Sequence, residues 1–288
     1  MSAAFLAVDW GTTNRRVYLV EDGVVVRTER DARGAKAVDD FPADAAAIRA
    51  RFGDLPMLMA GMVGSNIGWR AVPYVAAPAG LADLAKGIER IDARTAIVPG
   101  VSFRDGARAD VMRGEEVQLL GAAAAGMVPP DALLCHPGTH CKWVTLDGGR
   151  IARFTTAMNG ELFALLRNHS LLAPQLAGDV VDGPAFRAGV AEGSRGDLAA
   201  SLFGVRAAGL LGVRPDADAP AFTSGLLIGA DTAQRLREAP GATVHILADP
   251  GLDALYAGAV EALGGTPRVV GSHAAFVAGI TRLRELTA

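Results

Sequence analysis

Two distant stretches of this chain are built to one plan, Ala4–Glu29 and Ala132–Thr156. Each has a short apolar run, a Gly-Thr corner (Gly11-Thr12 or Gly138-Thr139), a β-rich run, an acidic-glycine turn (Glu21-Asp22-Gly23 or Asp147-Gly148-Gly149) and a third β-rich run. Turns of that composition close hairpins. A single glycine corner between strands is usually only a turn. Two in the same strand-corner-strand-turn-strand unit predict two related α/β lobes. The corner also has a chemistry: glycine lets a ligand approach the backbone, the threonine adds a hydroxyl donor, and the pair suits a phosphate.

Composition narrows the class. The chain's 288 residues are enough for two domains, and at 50% hydrophobic residues it can fill two cores. Its 35 glycines exceed the roughly 20 that ~7% average usage would give, which argues for many tight backbone corners. A formal charge of −3 provides no basic field for nucleic acid and no polybasic membrane signal. The longest small-and-apolar stretch, Leu119–Val128, is too short for a bilayer, and no signal-peptide pattern opens the chain. The expectation is a cytoplasmic enzyme with no nucleic-acid or membrane partner; a homodimer stays open.

Two cysteines, Cys135 and Cys141, form neither a disulfide framework nor a CxxC motif and read as reduced thiols. His136 and His140 straddle Pro137-Gly138, which prevents the helix that would set them on one face as metal ligands. His140 reads instead as a donor of the second corner.

Alternating strand and helix signals run through both halves. Three strands precede a helix over 43–51; an apolar run over 56–60 enters a glycine-rich stretch over 61–70; a helix over 81–91 and a strand over 95–98 follow. Pro99-Gly100 is the expected domain boundary, giving lobes 1–100 and 101–288. A helix over 115–125 precedes the second repeat, and a strand over 244–248, a helix over 252–263 and a last helix over 272–286 close the second lobe. Gly225 and Gly229 stand four apart, a spacing that on a helix gives a small-residue packing face. Asp110–Gln118 combines a glycine, the carboxylates Asp110, Glu115 and Glu116 and a helix start just ahead of the second corner, the set needed for acid-base work. Carboxylates in a first helical turn also read as ordinary capping.

The paired corners resemble those of the actin-like ATPase and sugar-kinase superfamily, whose members grip ATP between two ribonuclease H-like lobes. The resemblance implies an interdomain cleft for ATP, with Gly11, Thr12, Thr13, Gly138, Thr139 and His140 on the phosphates and Asp9 holding Mg2+ through water. Lys142 or Arg16 offsets developing charge. In related carbohydrate kinases a Gly-Asp pair opens a helix before the second phosphate strand and its Asp takes the proton from the attacking hydroxyl. Here the pair is Gly114-Glu115, which makes Glu115 the base, with Glu116 and Asp110 behind it. Gly225 and Asp249 fall on the nucleotide side, Asp249 where relatives carry a Gly-Gly pair.

Longer strings, Met59–Arg70, Met112–Glu116, Pro137–His140 with Lys142-Trp143, and Asn159–Phe163, resemble the 2-dehydro-3-deoxygalactonokinase family. That resemblance implies ATP-dependent phosphorylation of the terminal hydroxyl of 2-dehydro-3-deoxy-D-galactonate. Such an acceptor carries a carboxylate and a keto group, for which Ser65, Asn66, Trp69, Arg70, Arg113 and Glu161 are the candidate partners. Trp69 also reads as core and Glu161 as a helix N-terminal acid. The alternatives are a kinase for another sugar acid or amino sugar, a polyphosphate phosphatase, or a non-catalytic ATP-binding module.

Overall fold

A computed structural model describes residues 4–248 and 250–287. In the first repeat, β1 (Phe5–Trp10), β2 (Arg15–Glu21) and β3 (Val24–Asp31) form a meander. Helix α1 (Phe41–Phe52) leads to β4 (Met57–Gly61), which pairs parallel with β1. The chain continues through β5 (Val75–Ala76), α2 (Leu81–Lys86), β6 (Glu89–Asp92) and β7 (Thr95–Ile97). A hairpin of β8 (Val101–Asp105) and β9 (Arg108–Met112) delivers it to α3 (Glu115–Ala124). The second repeat supplies β10 (Leu133–His136), β11 (Cys141–Asp147) and β12 (Arg150–Ala157). Helices α4 (Asn159–His169), α5 (Pro184–Gly193), α6 (Leu198–Leu210) and α7 (Ala219–Glu238) follow, then β13 (Thr243–Ala248), α8 (Leu252–Ala262), β14 (Thr266–Gly271) and α9 (Ser272–Leu286).

The duplication seen in the sequence is a duplication of topology. One sheet runs β3-β2-β1-β4-β7-β6 and the other β12-β11-β10-β13-β14, so both place a three-strand meander beside two further parallel strands. The two hairpin turns match as well. Asp22 and Gly23 have φ of 50° and 77°, and Gly148 and Gly149 have 55° and 74°, the positive pair that a twisted two-residue hairpin requires.

Local signals set the helix ends. Asp40 accepts a hydrogen bond from the Ala43 amide at 2.9 Å, Pro42 fills the first turn, and Gly53 at φ 109° stops α1. Such a cap contributes about 1 kcal/mol. Helix α2 ends earlier than its pattern predicts because Gly87 caps it, packed so closely that a Cβ there would lie 3.1 Å from Pro99. The residues expected to extend α2 to 91 instead turn into β6.

The chain divides into two compact units, but not at residue 100. The first takes the chain up to Asp131, Thr145–Phe154 and the stretch from Ser272 on; the second takes Ala132–Val144 and Thr155–Gly271. The C-terminal helix therefore joins the first unit rather than the second. Its partner there is α3, and the crossing is built on glycine: a Cβ at Gly121 or Gly279 would run into the carbonyls of Ala275 or Val117. The first unit's core gathers Leu6, Val8, Trp10, Ile48, Met59 and Ile97; the second unit's gathers Cys135, Trp143, Phe186, Ile246 and Tyr256.

Candidate active site

The first corner begins where β1 ends. The Gly11 amide donates to the Asn14 carbonyl at 2.9 Å, closing the turn. Its carbonyls point the other way, held by the next loop: Ala35 N donates to Gly11 O, Lys36 N to Thr12 O and Gly34 N to Thr13 O. A Cβ on Gly34 would run into the Thr12 and Thr13 backbone, so only glycine permits this approach. Among the described residues the amides of Thr12 and Thr13 donate to no backbone carbonyl. Asp9 is half-buried one strand position before Trp10, and its register partner across the hairpin is Arg16. A cross-strand pair of that kind shares one face of the sheet.

The second corner follows the same construction with a different brace. Glu161 N donates to Thr139 O at 3.0 Å, and a Cβ on Gly160 would lie 2.5 Å from the Gly138 carbonyl oxygen. Here the bracing glycine sits in the first turn of α4. The amides of Gly138 and Thr139 likewise meet no backbone carbonyl among the described residues. His140 Nε2 lies 2.6 Å from Glu161 Oε2, so two candidate residues meet. Lys142 is buried in β11, its Nζ 3.5 Å from the His140 carbonyl. Cys135 and Cys141 flank the corner as free buried thiols, Sγ to Sγ 3.5 Å.

Glu115 reaches the first corner's end of the sheet through three backbones that touch without side chains. A Cβ on Gly61, at the end of β4, would lie 2.6 Å from the Trp10 carbonyl oxygen; one on Gly114 would lie 3.1 Å from Gly61 Cα. Gly61 and Gly114 also have φ of 96° and 110°, which side chains resist. Helix α3 thus starts beside the carboxyl ends of the parallel strands β1 and β4, the edge where open α/β sheets bind ligands.

The three carboxylates named for acid-base work now separate. Glu115 is half-buried, with Oε2 accepting the Arg113 amide at 3.0 Å. Glu116 is fully buried, Oε2 accepts the Gly114 amide at 2.7 Å, and burial, helped by the neighbouring Glu115 charge, pushes its carboxyl up to about 8. At neutral pH it is mostly protonated and serves the turn. Asp110 stands on β9 opposite Phe103, with Oδ1 accepting the Val111 amide.

The candidate acceptor residues scatter more. Arg113 is buried, donates Nη2 to the Val72 carbonyl at 2.7 Å, and stacks its guanidinium 4.3 Å from the Tyr74 ring centre. Its Nη1 lies 2.8 Å from where a Gly64 Cβ would be, and neither Nε nor Nη1 finds a partner among the described residues. The Ser65 hydroxyl is spent on the Met62 carbonyl and the Ile67 amide, staples of the loop. Trp69 stacks on Phe41 with ring centres 6.4 Å apart and packs on the core. Arg70 is ion-paired with Glu89 at 3.0 Å, and Asn66 is exposed. Gly225 is buried where α7 crosses α5, its missing Cβ making room for the Phe186 carbonyl; that packing accounts for a glycine there. Asp249 lies outside the described residues.

Sequence reasoning missed Gly34 and Asp44, for neither of which a motif stood out. Asp44 is buried, chelated by Arg33 at 3.0–3.3 Å and 3.7 Å from Arg15, and this network fixes the loop that carries Gly34.

Two sheets that share a five-strand order, each with a braced glycine corner, define a mixed α/β fold of the actin-like type. A solved structure of the activator of 2-hydroxyisocaproyl-CoA dehydratase from Clostridium difficile shares that fold at TM-score 0.51 and 9% identity, covering 99% of this chain and 96% of its own. The chain belongs to the 2-keto-3-deoxy-galactonokinase family, whose model matches residues 9–283. It is 36% identical to the 2-dehydro-3-deoxygalactonokinase of Escherichia coli K12 over 100% of both chains. A Sinorhizobium meliloti crystal structure, described provisionally as a 2-dehydro-3-deoxygalactonokinase protein, superposes with TM-score 0.91 at 34% identity over 98% of each chain.

Proposed function

We propose that this chain transfers the γ-phosphoryl group of ATP to the terminal 6-hydroxyl of 2-dehydro-3-deoxy-D-galactonate, a reading supported by its likeness to an E. coli protein named 2-dehydro-3-deoxygalactonokinase. The observation that supports the mechanism is the Trp10–Gly61–Gly114 approach, which brings the start of α3, where Glu115 stands, against the strand ends that lead into the Gly11 corner. Glu115 accepts the hydroxyl proton as the new bond to phosphorus forms, while its other contact to the Arg113 amide fixes the carboxylate. The amides of Thr12, Thr13, Gly138 and Thr139 donate to phosphate oxygens, with Lys142 and Arg16 offsetting charge that develops in transfer.

Magnesium accompanies ATP in such chemistry, neutralising the phosphates. It keeps several waters and takes one or two protein carboxylates plus phosphate oxygens. Asp9, a half-buried carboxylate one residue before the first corner's strand end, fits that sparse demand, and among the described residues no cluster of three or more His, Cys, Asp or Glu competes for the ion.

The acceptor's carboxylate calls for a cation with donors to spare. Arg113 has two, beside the glycine-rich loop. Among the described residues no helix is long and apolar enough to cross a membrane. A coupled ADP-release assay with ATP, Mg2+ and a panel of 2-keto-3-deoxy sugar acids tests the reading. Rapid acceptor-dependent turnover on the galactonate derivative is expected. Equal ADP release without acceptor would show a phosphatase, and turnover only on another sugar would replace the substrate.

A further inference from the structure

The second corner rests on a buried carboxylate that the chemistry above does not use. Asp231, on α7, accepts a hydrogen bond from Trp143 Nε1 at 2.8 Å and from Asn159 Nδ2 at 2.9 Å, both on Oδ2. Its Oδ1 lies 3.8 Å from Arg235 Nε, and its side chain is 7% exposed. Burial raises this carboxyl's pKa above its ordinary value, while the bonds from Trp143 and Asn159 and the Arg235 charge pull the other way. A carboxylate so enclosed costs more than a neutral side chain of the same shape unless its donors are worth the difference.

The two donors stand on the two segments that shape the corner. Trp143 is on β11, the strand leaving it. Asn159 opens α4, immediately before Gly160, whose backbone presses on Gly138 and Thr139. Helix α4 has no side-chain cap at its N-terminus, and the Asn159 side chain ties that first turn to α7. Asn159 also contacts Tyr256 Oη at 3.2 Å, which ties the same point to α8. A shift of Asn159 would carry Gly160 and the Glu161 amide away from Thr139, and the corner would lose its brace.

We propose that Asp231 is a positioning residue for phosphoryl transfer, holding the second corner's geometry through Asn159 and Trp143. The proposal rests on that corner binding the nucleotide's phosphates. Asp231 touches no phosphate; it sets where the Gly138 and Thr139 amides point. Loss of the charge therefore acts on the phosphates and spares the acceptor site.

The test compares Asp231→Asn, Trp143→Phe and the exchanged pair Asp231→Asn with Asn159→Asp, which reverses donor and acceptor across the same contact. Each is assayed for KM of ATP, KM of the sugar acid, kcat, thermal midpoint, and direct binding of ATP and of adenosine. Asp231→Asn is expected to weaken ATP about tenfold or more, with adenosine binding and the acceptor KM changed less than about twofold, and the exchanged pair is expected to recover most of the loss. Trp143→Phe, which removes one donor, should give a smaller loss in the same direction. A lowered thermal midpoint with unchanged ATP binding in the variants would overturn the proposal, as would failure of the exchange to restore ATP binding in a folded protein. Binding is read without acceptor, so the outcome stands even if wild type phosphorylates no sugar acid in the panel.

Discussion

The two glycine corners share a brace but not the means of holding it. At the first, Gly34 sits on an irregular loop tied down by an ionic cluster: Arg33 chelates Asp44, and Arg15 pairs with Asp31 at 2.7 Å. At the second, Gly160 sits in a helix anchored by donors from Asn159 and Trp143 to Asp231. A loop has no internal ladder to fix it, so charged pairs at both ends do that work, whereas a helix needs only its first turn anchored. The comparison also assigns labour. Among the described residues the proposed base, Glu115, opens the helix that glycine contacts bring against β4, at the first corner's end of the sheet.

Removing the base gives the largest expected effect and the sharpest test of that division. Glu115→Gln should lower kcat on the order of a hundredfold or more while leaving ATP affinity nearly intact. Steady-state kinetics with a nucleotide titration check it; undiminished turnover would move the base elsewhere and leave the corners equivalent.

The braces come next. Gly160→Ala improves intrinsic helix propensity by about 1 kcal/mol, yet its Cβ would press on the Gly138 carbonyl and the Thr139 backbone. The packing effect should win, because a misplacement near 1 Å in a positioned group costs on the order of a hundredfold. Gly34→Ala should do the same at the first corner. Both should lower kcat/KM for ATP with the acceptor KM little changed; normal ATP kinetics in either variant would break the parallel between the corners.

The smallest effect concerns stability. Glu116 ionises near pH 8 in the fold against an ordinary value of 4.5, so the folded chain binds more protons than the unfolded one between those values. Stability contributed by this group is therefore lost as pH rises from about 4.5 towards 8, and levels off above. Glu116→Gln, neutral and of the same shape, should flatten that decline. Thermal midpoints of both proteins at pH 5 and pH 8.5 check this: the variant should gain on wild type as pH rises, and parallel curves would place the proton elsewhere.

Much of this arrangement was legible in the sequence because it rests on short-range chemistry. Asp22-Gly23 and Gly148-Gly149 announce their hairpins, and the Gly-Thr pairs announce their corners. The division into units was not, because α9 returns to α3 across more than half of the chain through Gly121 and Gly279, two glycines with no local pattern. The same reason hid Gly34: its value is a close approach to Thr12 and Thr13, which no spacing displays. Ser65 and Trp69 sit in the string that marks the family, yet the structure uses one to staple a loop and the other to cover a core. Family strings mark positions under constraint without saying whether packing or binding imposes it.

The most direct test of the account is a phosphorus NMR spectrum of the reaction mixture of ATP, Mg2+ and 2-dehydro-3-deoxy-D-galactonate with the purified chain. Transfer to the terminal hydroxyl predicts a new phosphomonoester signal split by the two protons of a CH2 group, growing as ADP forms. A signal split by a single proton would place the phosphate on a secondary hydroxyl, and inorganic phosphate alone would contradict phosphoryl transfer to the sugar acid.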